Sequence, residues 1–422
     1  MDFKRLSSSL LFRIIVAIIL GIICSFFFPV ALGRVFVTFN SLFGNFLGFF
    51  IPVLIFALIT PAIAGLGRGA GKWLAITTGI AYGSAVIAGI ISWAVATGLY
   101  PILLAGQQNV EVADIDGGAL QPFITIEMPA PMPVMTALIL AFVIGVAMTV
   151  VKSDTLFAGV ADLRRVVMKV ISGFVVPLLP IYIFGMFLSL GMNGNLVSTL
   201  TAFAKVLVLA IVLSFLLLIA QFTISGAIAR KNPFTSLKNM MPAYFTALGT
   251  SSSAATIPVT YECARRNGVS QSVAGFVVPL CATIHLSGSM MKITLFAFAI
   301  MFMDGMDLSF GKALGFLLML GVTMVAAPGV PGGAIMAAVG LLTASLGFND
   351  DQIALMIAAY IAIDSFGTAC NVTGDGAIAQ VVDRWAKGNI ERSALDEEDD
   401  LGLASAIEGI EKKELEAERN LS

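Results

Sequence analysis

The stretch GTSSSAATIPVT, residues 249–260, interrupts a hydrophobic segment with three consecutive serines. The surrounding segment, 235–261, therefore has two apolar halves, and each half is shorter than the ~20 residues that a helix needs to cross a bilayer. A second segment, 308–346, has the same form around APGVPGGAIMAAVG, residues 327–340. Irregular backbone at membrane depth is tolerated only where it is buried in protein or lines a wet cavity. Both segments are therefore predicted to be re-entrant helical hairpins.

The chain as a whole has the composition of a protein that crosses the membrane many times. It has 422 residues, of which 58% are hydrophobic and only 12% are charged, and its mean hydropathy is +0.96. Besides the two hairpins, eight apolar stretches reach the length that a bilayer requires. They are 14–30, 43–66, 74–105, 132–151, 166–192, 206–228, 270–303 and 351–383. We therefore predict an all-α polytopic membrane protein with eight transmembrane helices and two re-entrant hairpins.

The basic residues indicate how the chain is oriented. If the N-terminus is cytoplasmic, most Lys and Arg side chains fall inside, whereas the external loop 106–130 has four acidic residues and no basic one. This bias predicts a protein of the cell (inner) membrane with both termini in the cytoplasm. It requires the first hairpin to enter and leave from the cytoplasm, so that Lys238 and Arg265 lie on the same side.

The last 37 residues and the cysteines add little chemistry. From 386 to 422 the chain carries mixed charges, which predicts a solvated cytoplasmic tail. The four cysteines have no paired spacing and there is a single histidine, so neither a Cys/His metal site nor a covalent cofactor is expected.

Polar residues follow one face of the last apolar stretch, AIDSFGTACNVTGDGAIA, residues 362–379. Asp364, Thr368, Asn371 and Asp375 are spaced i, i+4, i+7 and i+11, which places them together on a helix. Carboxylates at membrane depth are costly unless they bind cations or face a polar cavity. The alternative is a set of hydrogen bonds that hold helices together, a role that Thr and Asn alone could fill. The stripe therefore predicts a binding site.

The two hairpin tips have the chemistry of ligand contacts. Consecutive serines offer hydroxyls and free backbone amides to a carboxylate, as the N-termini of helices do. Glycines at the second tip permit close approach of the backbone to a ligand and movement as a gate. A Ser-rich turn without function, or a kinked structural helix at the second tip, is the alternative.

Taken in chain order, these motifs resemble those of the dicarboxylate/amino acid:cation symporter family, which includes glutamate and neutral amino acid transporters. The motifs are SSSAATIP, ATIHLSG, GVPGG and the pattern D-x-x-x-T-x-x-N-V-T-G-D, and the resemblance covers residues 10–385. It implies a transporter rather than an enzyme, in which a homotrimer moves its transport domains like elevators. It also implies a scaffold mainly in 1–230, with helices 3 and 6 partly in the transport domain, and a transport core in 231–385.

The resemblance assigns roles to individual residues. Asp364 would hold the ammonium group of a small amino acid, and backbone groups at the hairpin tips would take its carboxylate. The implied substrate contacts are Ser252, Ser253, Ser289, Val330, Gly333, Asp364, Thr368 and Asn371. Asn371 and Asp375 would also form part of a sodium site, with carbonyl oxygens near Cys281 and His285. Hard oxygen ligands of this kind suit a small cation. No nucleic acid partner is implied.

Departures from the family pattern bear on the substrate. Relatives that carry acidic substrates place an arginine at position 367 or 251, where this chain has Gly367 and Ser251. No guanidinium is then available for a second carboxylate. Glycine inside a helix suggests that space is wanted beside an uncharged substrate. These features predict import of a small neutral amino acid such as serine, threonine or alanine, and the resemblance implies Na⁺ rather than H⁺ as the coupling ion. The alternative is an acidic amino acid or dicarboxylate whose second carboxylate is held by Lys292.

The seventh apolar stretch departs from the family as well. Where relatives usually read N-M-D-G-T, this chain reads HLSGS, so that Ser287 replaces an aspartate of an additional sodium site. His285 could hydrogen-bond in place of asparagine or couple transport to protons, since it titrates near neutral pH. Lys292 could stand in for a bound cation or pair with a carboxylate.

Two other classes of membrane protein compete with a transporter. A hydrolase could use Ser289 with Lys292, but no nucleophile elbow accompanies these residues. Ser287 with His285 is the other pair, but residues two apart point to nearly opposite sides of a helix. A passive channel would not need two broken hairpins with paired motifs, which favour gated alternating access.

Overall fold

The computed structural model describes residues 10–66, 72–106, 120–151, 153–192, 196–327, 329 and 331–386. In this part of the chain the secondary structure is helical, with no strand. The charged tail predicted from 386 onward lies outside the described residues except for Ala386, and so does Val330. The predicted fold class, an all-α polytopic membrane protein, is therefore supported.

The described residues before 230 form seven helices. A five-residue π-helical segment, Ile171–Val175, joins the fifth helix to the sixth without a break. The helices are α1 (Leu10–Ser25), α2 (Val30–Leu66), α3 (Lys72–Leu103), α4 (Val134–Val151), α5 (Asp154–Val170), α6 (Val176–Met192) and α7 (Leu196–Ala229).

The second half consists of shorter helices. They are α8 (Pro233–Asn239), α9 (Met241–Thr250), α10 (Ser253–Arg266), α11 (Gln271–Ile284), α12 (Ser287–Met303), α13 (Phe310–Ala326), α14 (Gly333–Leu341), α15 (Asp350–Ala362) and α16 (Asp364–Ala386). A second π-helical segment, Leu342–Leu346, extends α14. A capping box between Asn349 and Gln352 starts α15, because each side chain accepts a hydrogen bond from the other residue's backbone N–H.

Five helical segments of the described chain are long and apolar enough to cross a membrane, or six if α15 and α16, bent by 62°, form one span. These six coincide with six of the eight predicted spans. The remaining two predictions coincide with α1 and α4, which have 16 and 18 residues. The number of eight transmembrane helices therefore remains a prediction.

Each predicted hairpin is a pair of helices that pack against each other around an irregular tip. In the first, α9 ends at Ser251, whose φ of 50° is left-handed, and Ser252 then caps α10. In the second, α13 and α14 are joined through Gly332, which has a φ of 72°. Glycine adopts this conformation without the steric penalty of a Cβ atom. The helical form of both hairpins agrees with the sequence, while their position in the bilayer stays a prediction.

The broken helix formed by α11 and α12 lies at the centre of the protein. In the most apolar part of the segment Gln271–Met303, 94% of the residues are buried. Only His285 and Leu286 interrupt the helical structure of this segment. It packs against α3, α7 and α16. Because α12 is buried on every side, it needs no amphipathic pattern, and apolar residues occur around its whole circumference.

The helices form two sets by their contacts. In one set α2 packs against α4, α5 and α6, and α1 packs against α6; in the other, α3 and α7 pack against α12 and α16. The third and sixth predicted spans thus lie with the second half of the chain. This arrangement accords with the expected exchange of helices 3 and 6, although the division into scaffold and transport domains at 230/231 remains a prediction.

Candidate functional site

A small cavity lies where the two hairpin tips meet α12 and α16. Its volume is about 10 Å³, which is close to the room that one water molecule requires. The residues that line it come from five elements and are mostly polar. They are Ser251, Ser253, Leu286, Ser289, Gly329, Ala334, Tyr360, Asp364, Thr368 and Asn371.

The polar stripe of the last helix is buried along its whole length. Asp364, Thr368 and Asn371 line the cavity together, as their spacing predicts. Asp375, one turn further along, lies outside this lining and contacts His285 instead. Three residues of the stripe therefore line the cavity, and the fourth, Asp375, belongs to a separate polar cluster.

Asp364 is held from two directions. Its Oδ2 accepts a hydrogen bond of 2.8 Å from the backbone N–H of Gly332, at the tip of the second hairpin. Its Oδ1 lies 3.5 Å from Nζ of Lys292. The carboxylate thus links the second tip to the centre of the protein.

Lys292 is completely buried, and its ammonium has a full set of partners. Nζ donates to the carbonyl oxygens of Ile363 at 3.2 Å and Asp364 at 3.4 Å, and it lies 4.0 Å from the centre of the Tyr360 ring. A buried charge is tolerated only when it is paired and hydrogen-bonded, and an aromatic face adds further stabilisation.

The expectation that Gly367 leaves open space beside the substrate is wrong. A Cβ atom at position 367 would overlap Cε and Nζ of Lys292. The space is therefore filled by the lysine side chain from α12. Sequence reasoning missed this contact because it joins residues from two helices that are far apart in the chain.

Asn371, Ser289 and Tyr360 form a chain of hydrogen bonds across the cavity wall. Asn371 Nδ2 donates to Ser289 Oγ at 3.0 Å, and Tyr360 OH donates to the same oxygen at 2.9 Å. Asn371 Oδ1 accepts from the backbone N–H of Gly288 at 2.7 Å and of Ser289 at 3.3 Å. Tyr360 was not among the predicted site residues; it lies four residues before Asp364, but on α15, which is bent by 62° from α16.

The two hairpin tips touch each other. Ser252 Oγ donates to the carbonyl oxygen of Gly329 at 3.1 Å and also accepts from the N–H of Ala255 at 3.3 Å. Of the predicted contacts at the tips, Ser253 lines the cavity, whereas Gly333 lines a neighbouring apolar groove. Val330 lies outside the described residues. Ser251, predicted only as a position that lacks arginine, also faces the cavity.

Three of the four predicted cation ligands, Cys281, His285 and Asp375, lie in a second cluster, whereas Asn371 lines the cavity. His285 Nδ1 lies 2.9 Å from Oδ1 of Asp375, and its Nε2 lies 3.0 Å from Oγ of Ser84. The carbonyl oxygen of Cys281 accepts from the His285 backbone N–H at 2.9 Å. A carboxylate oxygen accepts, so that Nδ1 carries the proton in this contact.

Broken helices, paired hairpins and a buried polar cavity at their meeting point define a class of protein, the secondary transporters. The model of the sodium:dicarboxylate symporter family matches residues 10–385. The chain belongs to this family, which consists of transporters and not of enzymes.

Relatives of known name match a shorter region. Excitatory amino acid transporter 1 of Ambystoma tigrinum is 35% identical over 166 residues, which are 39% of this chain and 30% of that protein. Excitatory amino acid transporter 3 of Mus musculus is 33% identical over 182 residues, 43% of this chain and 35% of its own length. The matched region thus spans about a third of the length of these relatives.

Proposed function

We propose that the protein is a secondary active symporter that imports a small amino acid together with a cation across the cell membrane. It would work as a homotrimer with an elevator movement of each transport domain. The observation that carries the proposal is the buried Asp364 carboxylate in a small cavity between two hairpin tips. Sodium is the coupling ion that the family description names, and protons are the alternative.

The site supplies a partner for each end of an amino acid. Asp364 is the counter-charge for the ammonium group, and Thr368, Asn371 and Ser289 offer hydroxyl and amide groups beside it. Serine hydroxyls and backbone amides at the hairpin tips suit the carboxylate, as the ends of broken helices do in other transporters.

Entry of a substrate requires the second hairpin to move. A cavity of about 10 Å³ cannot hold an amino acid. The bond from the Gly332 N–H to Asp364 ties the tip to the site. When the tip swings away, this bond breaks and the carboxylate becomes available to the substrate ammonium. The substrate ammonium then takes the place of the tip contact at Asp364, and the tip closes again over the bound substrate.

A neutral side chain is favoured by the lining of the cavity. Among its lining residues the structure describes serines, small apolar residues, Thr368, Asn371, Tyr360 and Asp364, and no lysine or arginine. The Lys292 ammonium has its own acceptors. A second substrate carboxylate in such a place would lack a partner, at a cost of several kcal/mol in a dry site.

An acidic amino acid or a dicarboxylate is the second candidate, and Lys292 is the observation that favours it. The lysine places a positive charge beside Gly367, where acidic-substrate relatives carry arginine. Its contact with Asp364 is long, at 3.5 Å, so a rotation of the side chain could turn the ammonium toward a second carboxylate.

The thermal stability of the purified protein in the presence of each substrate separates these candidates. Serine, alanine, aspartate and succinate are tested for their ability to raise the melting temperature of wild type and Lys292→Met. We expect stabilisation by serine and alanine in both proteins. Stabilisation by aspartate or succinate that disappears in Lys292→Met would establish the second candidate. Absence of stabilisation by all four compounds would contradict the proposed function itself. Uptake driven by a sodium or a proton gradient then identifies the coupling ion.

A further inference from the structure

The side chain of His285 is the centre of a buried polar cluster that joins four helical segments. Its exposed fraction is 0% and that of Asp375 is 1%. Beyond Asp375 on α16 and Ser84 on α3, the cluster includes Gln221 on α7. Gln221 Nε2 donates to Ser84 Oγ and to Ser287 Oγ, each at 3.1 Å. Both ring nitrogens of the histidine are thus engaged by neighbouring helices.

A glycine on the last helix makes room for this imidazole. A Cβ atom at Gly374 would lie 2.8 Å from Cε1 of His285 and 2.7 Å from Oε1 of Gln221. Atoms rarely approach a Cβ so closely, so that even alanine at 374 would push the ring away from Asp375. Glycine at 374 therefore provides the space that the imidazole ring of His285 occupies.

Three of the oxygen atoms around the implied sodium site already face hydrogen-bond donors. Asn371 Oδ1 faces two backbone N–H groups, those of Gly288 and Ser289. The Cys281 carbonyl accepts the His285 N–H, and Asp375 Oδ1 faces the imidazole. A hard cation needs several oxygen atoms that point at it together. A sodium ion would have to compete with these N–H donors for the three oxygen atoms, so the residues fit a sodium ion poorly.

From this geometry we propose that the imidazole of His285 occupies the place beside Asp375 where the resemblance implies a sodium ion. The carboxylate is then hydrogen-bonded from within the chain, and sodium is excluded from it. Any sodium that accompanies the substrate binds to oxygen atoms elsewhere. The inference rests on the proposed function only in taking Asp375 as part of a symporter's transport core.

The test is the specific effect of sodium on the stability of the purified, full-length protein. Melting temperatures are measured in sodium chloride and in choline chloride at equal ionic strength, because a ligand that binds the folded state raises the melting temperature. The proteins are wild type, His285→Asn, Asp375→Asn and the double variant. Asparagine restores the residue that relatives usually have at 285 and removes the ring. Thr294→Ala, a buried change on the same helix, is the matched control.

We expect the sodium response of Asp375→Asn to equal that of wild type, whether this response is zero or not. His285→Asn should gain a sodium-specific rise in melting temperature that the double variant loses, and Thr294→Ala should behave like wild type. A sodium-specific rise in wild type that disappears in Asp375→Asn would overturn the proposal. If Asp375→Asn does not fold, Asp375→Glu replaces it, and a changed sodium response in that variant would equally overturn the proposal.

The same samples distinguish this inference from the proposed function. Amino acids and dicarboxylates are added in each salt, and stabilisation by any of them supports a transport site. If none stabilises the protein, the proposed function fails, while the sodium responses of the variants still decide the role of His285.

Discussion

At position 364 a carboxylate lies inside the protein, with one oxygen facing the second hairpin and the other facing Lys292. The first contact is short, at 2.8 Å, and the second is long, at 3.5 Å. A ligand ammonium can therefore replace the hairpin contact without loss of the lysine, which stays bound to two carbonyl groups.

Asp364→Asn should abolish most substrate binding, because the ammonium loses its charged partner. A charged hydrogen bond contributes about 1.5–3 kcal/mol, which corresponds to roughly ten- to a hundredfold in affinity. The measurement is the substrate concentration that gives half of the maximal thermal stabilisation. Asp307→Asn, on an exposed loop, is the control and should bind like wild type. Equal affinities in the two variants would show that Asp364 does not hold the substrate.

Gly367→Ala should destabilise the protein, since the methyl group displaces Lys292 from its partners. Overpacking of this kind costs about 1–3 kcal/mol. In the Lys292→Ala background the same change should cost much less, because residues in contact couple in a double-mutant cycle. Melting temperatures of the four proteins measure the coupling. Gly275→Ala, a helical position with open space around it, is the control. Additive effects at 367 and 292 would contradict the contact.

The polar stripe of α16 could be predicted because it depends only on helical spacing. The filling of the Gly367 space could not, since Lys292 and Asp364 are 72 residues apart and meet only when α12 lies against α16. Tyr360 was missed for a different reason. It belongs to α15, and a tyrosine within an apolar run is more often part of the core than of a site.

At the scale of single elements, the first hairpin depends on the residue that caps α10. Ser252 occupies this position, and its hydroxyl contacts both its own helix and the opposite hairpin. The two tips are thereby closed against each other at the cavity.

Ser252→Ala should weaken both the α10 cap and the closure of the tips. Loss of a capping side chain costs ~1 kcal/mol, and loss of the tip contact should also lower substrate affinity. Ser270→Ala is the matched control, because Ser270 precedes α11 without a capping hydrogen bond from its side chain. Thermal stability and substrate titration of both variants provide the measurement. If the two variants behave alike, the Ser252 contacts have no role in closure.

The bounds of the helices show where hydropathy alone fails. The second apolar stretch was predicted at 43–66, but α2 begins at Val30. Its first turns contain polar side chains that lower the local hydropathy and find partners in the segment after residue 119. Arg34 Nε donates to the carbonyl of Gln121, and Thr38 Oγ1 accepts from the backbone N–H of Phe123, each at 2.8 Å. The hairpins were easier to predict because serine, glycine and proline mark their tips directly.

At the scale of the whole molecule, the outer surface is apolar. Large side chains such as Ile19, Val143 and Val208 are half exposed or more. Such a surface is stable only against lipid or against another apolar surface. The distribution of basic residues along the sequence predicts which side of such a surface faces the cytoplasm.

Labelling of single cysteines should reveal this orientation. In a background without the four native cysteines, Glu127→Cys should react with a membrane-impermeant maleimide in intact cells. Lys238→Cys and Arg265→Cys should react only after the cells are permeabilised, because the first hairpin returns to the side from which it enters. Uptake by the cysteine-free protein is the control for correct folding. Labelling of Lys238→Cys in intact cells would invert the predicted topology or place the hairpin differently.

The buried lysine of α12 also has a consequence for how the protein is made. The ribosome completes α12 well before the last helix, and a lysine at the centre of a lone helix in lipid is strongly unfavourable. At ~5–20 residues per second, the 72 residues to Asp364 take roughly 4–14 seconds to synthesise. During this interval the nascent helix must remain in the insertion machinery or against α3 and α7. A chain that terminates before Asp364 would leave the lysine without its charged partner. We therefore expect such a truncated chain to be degraded during membrane insertion, before any loss of transport could be measured.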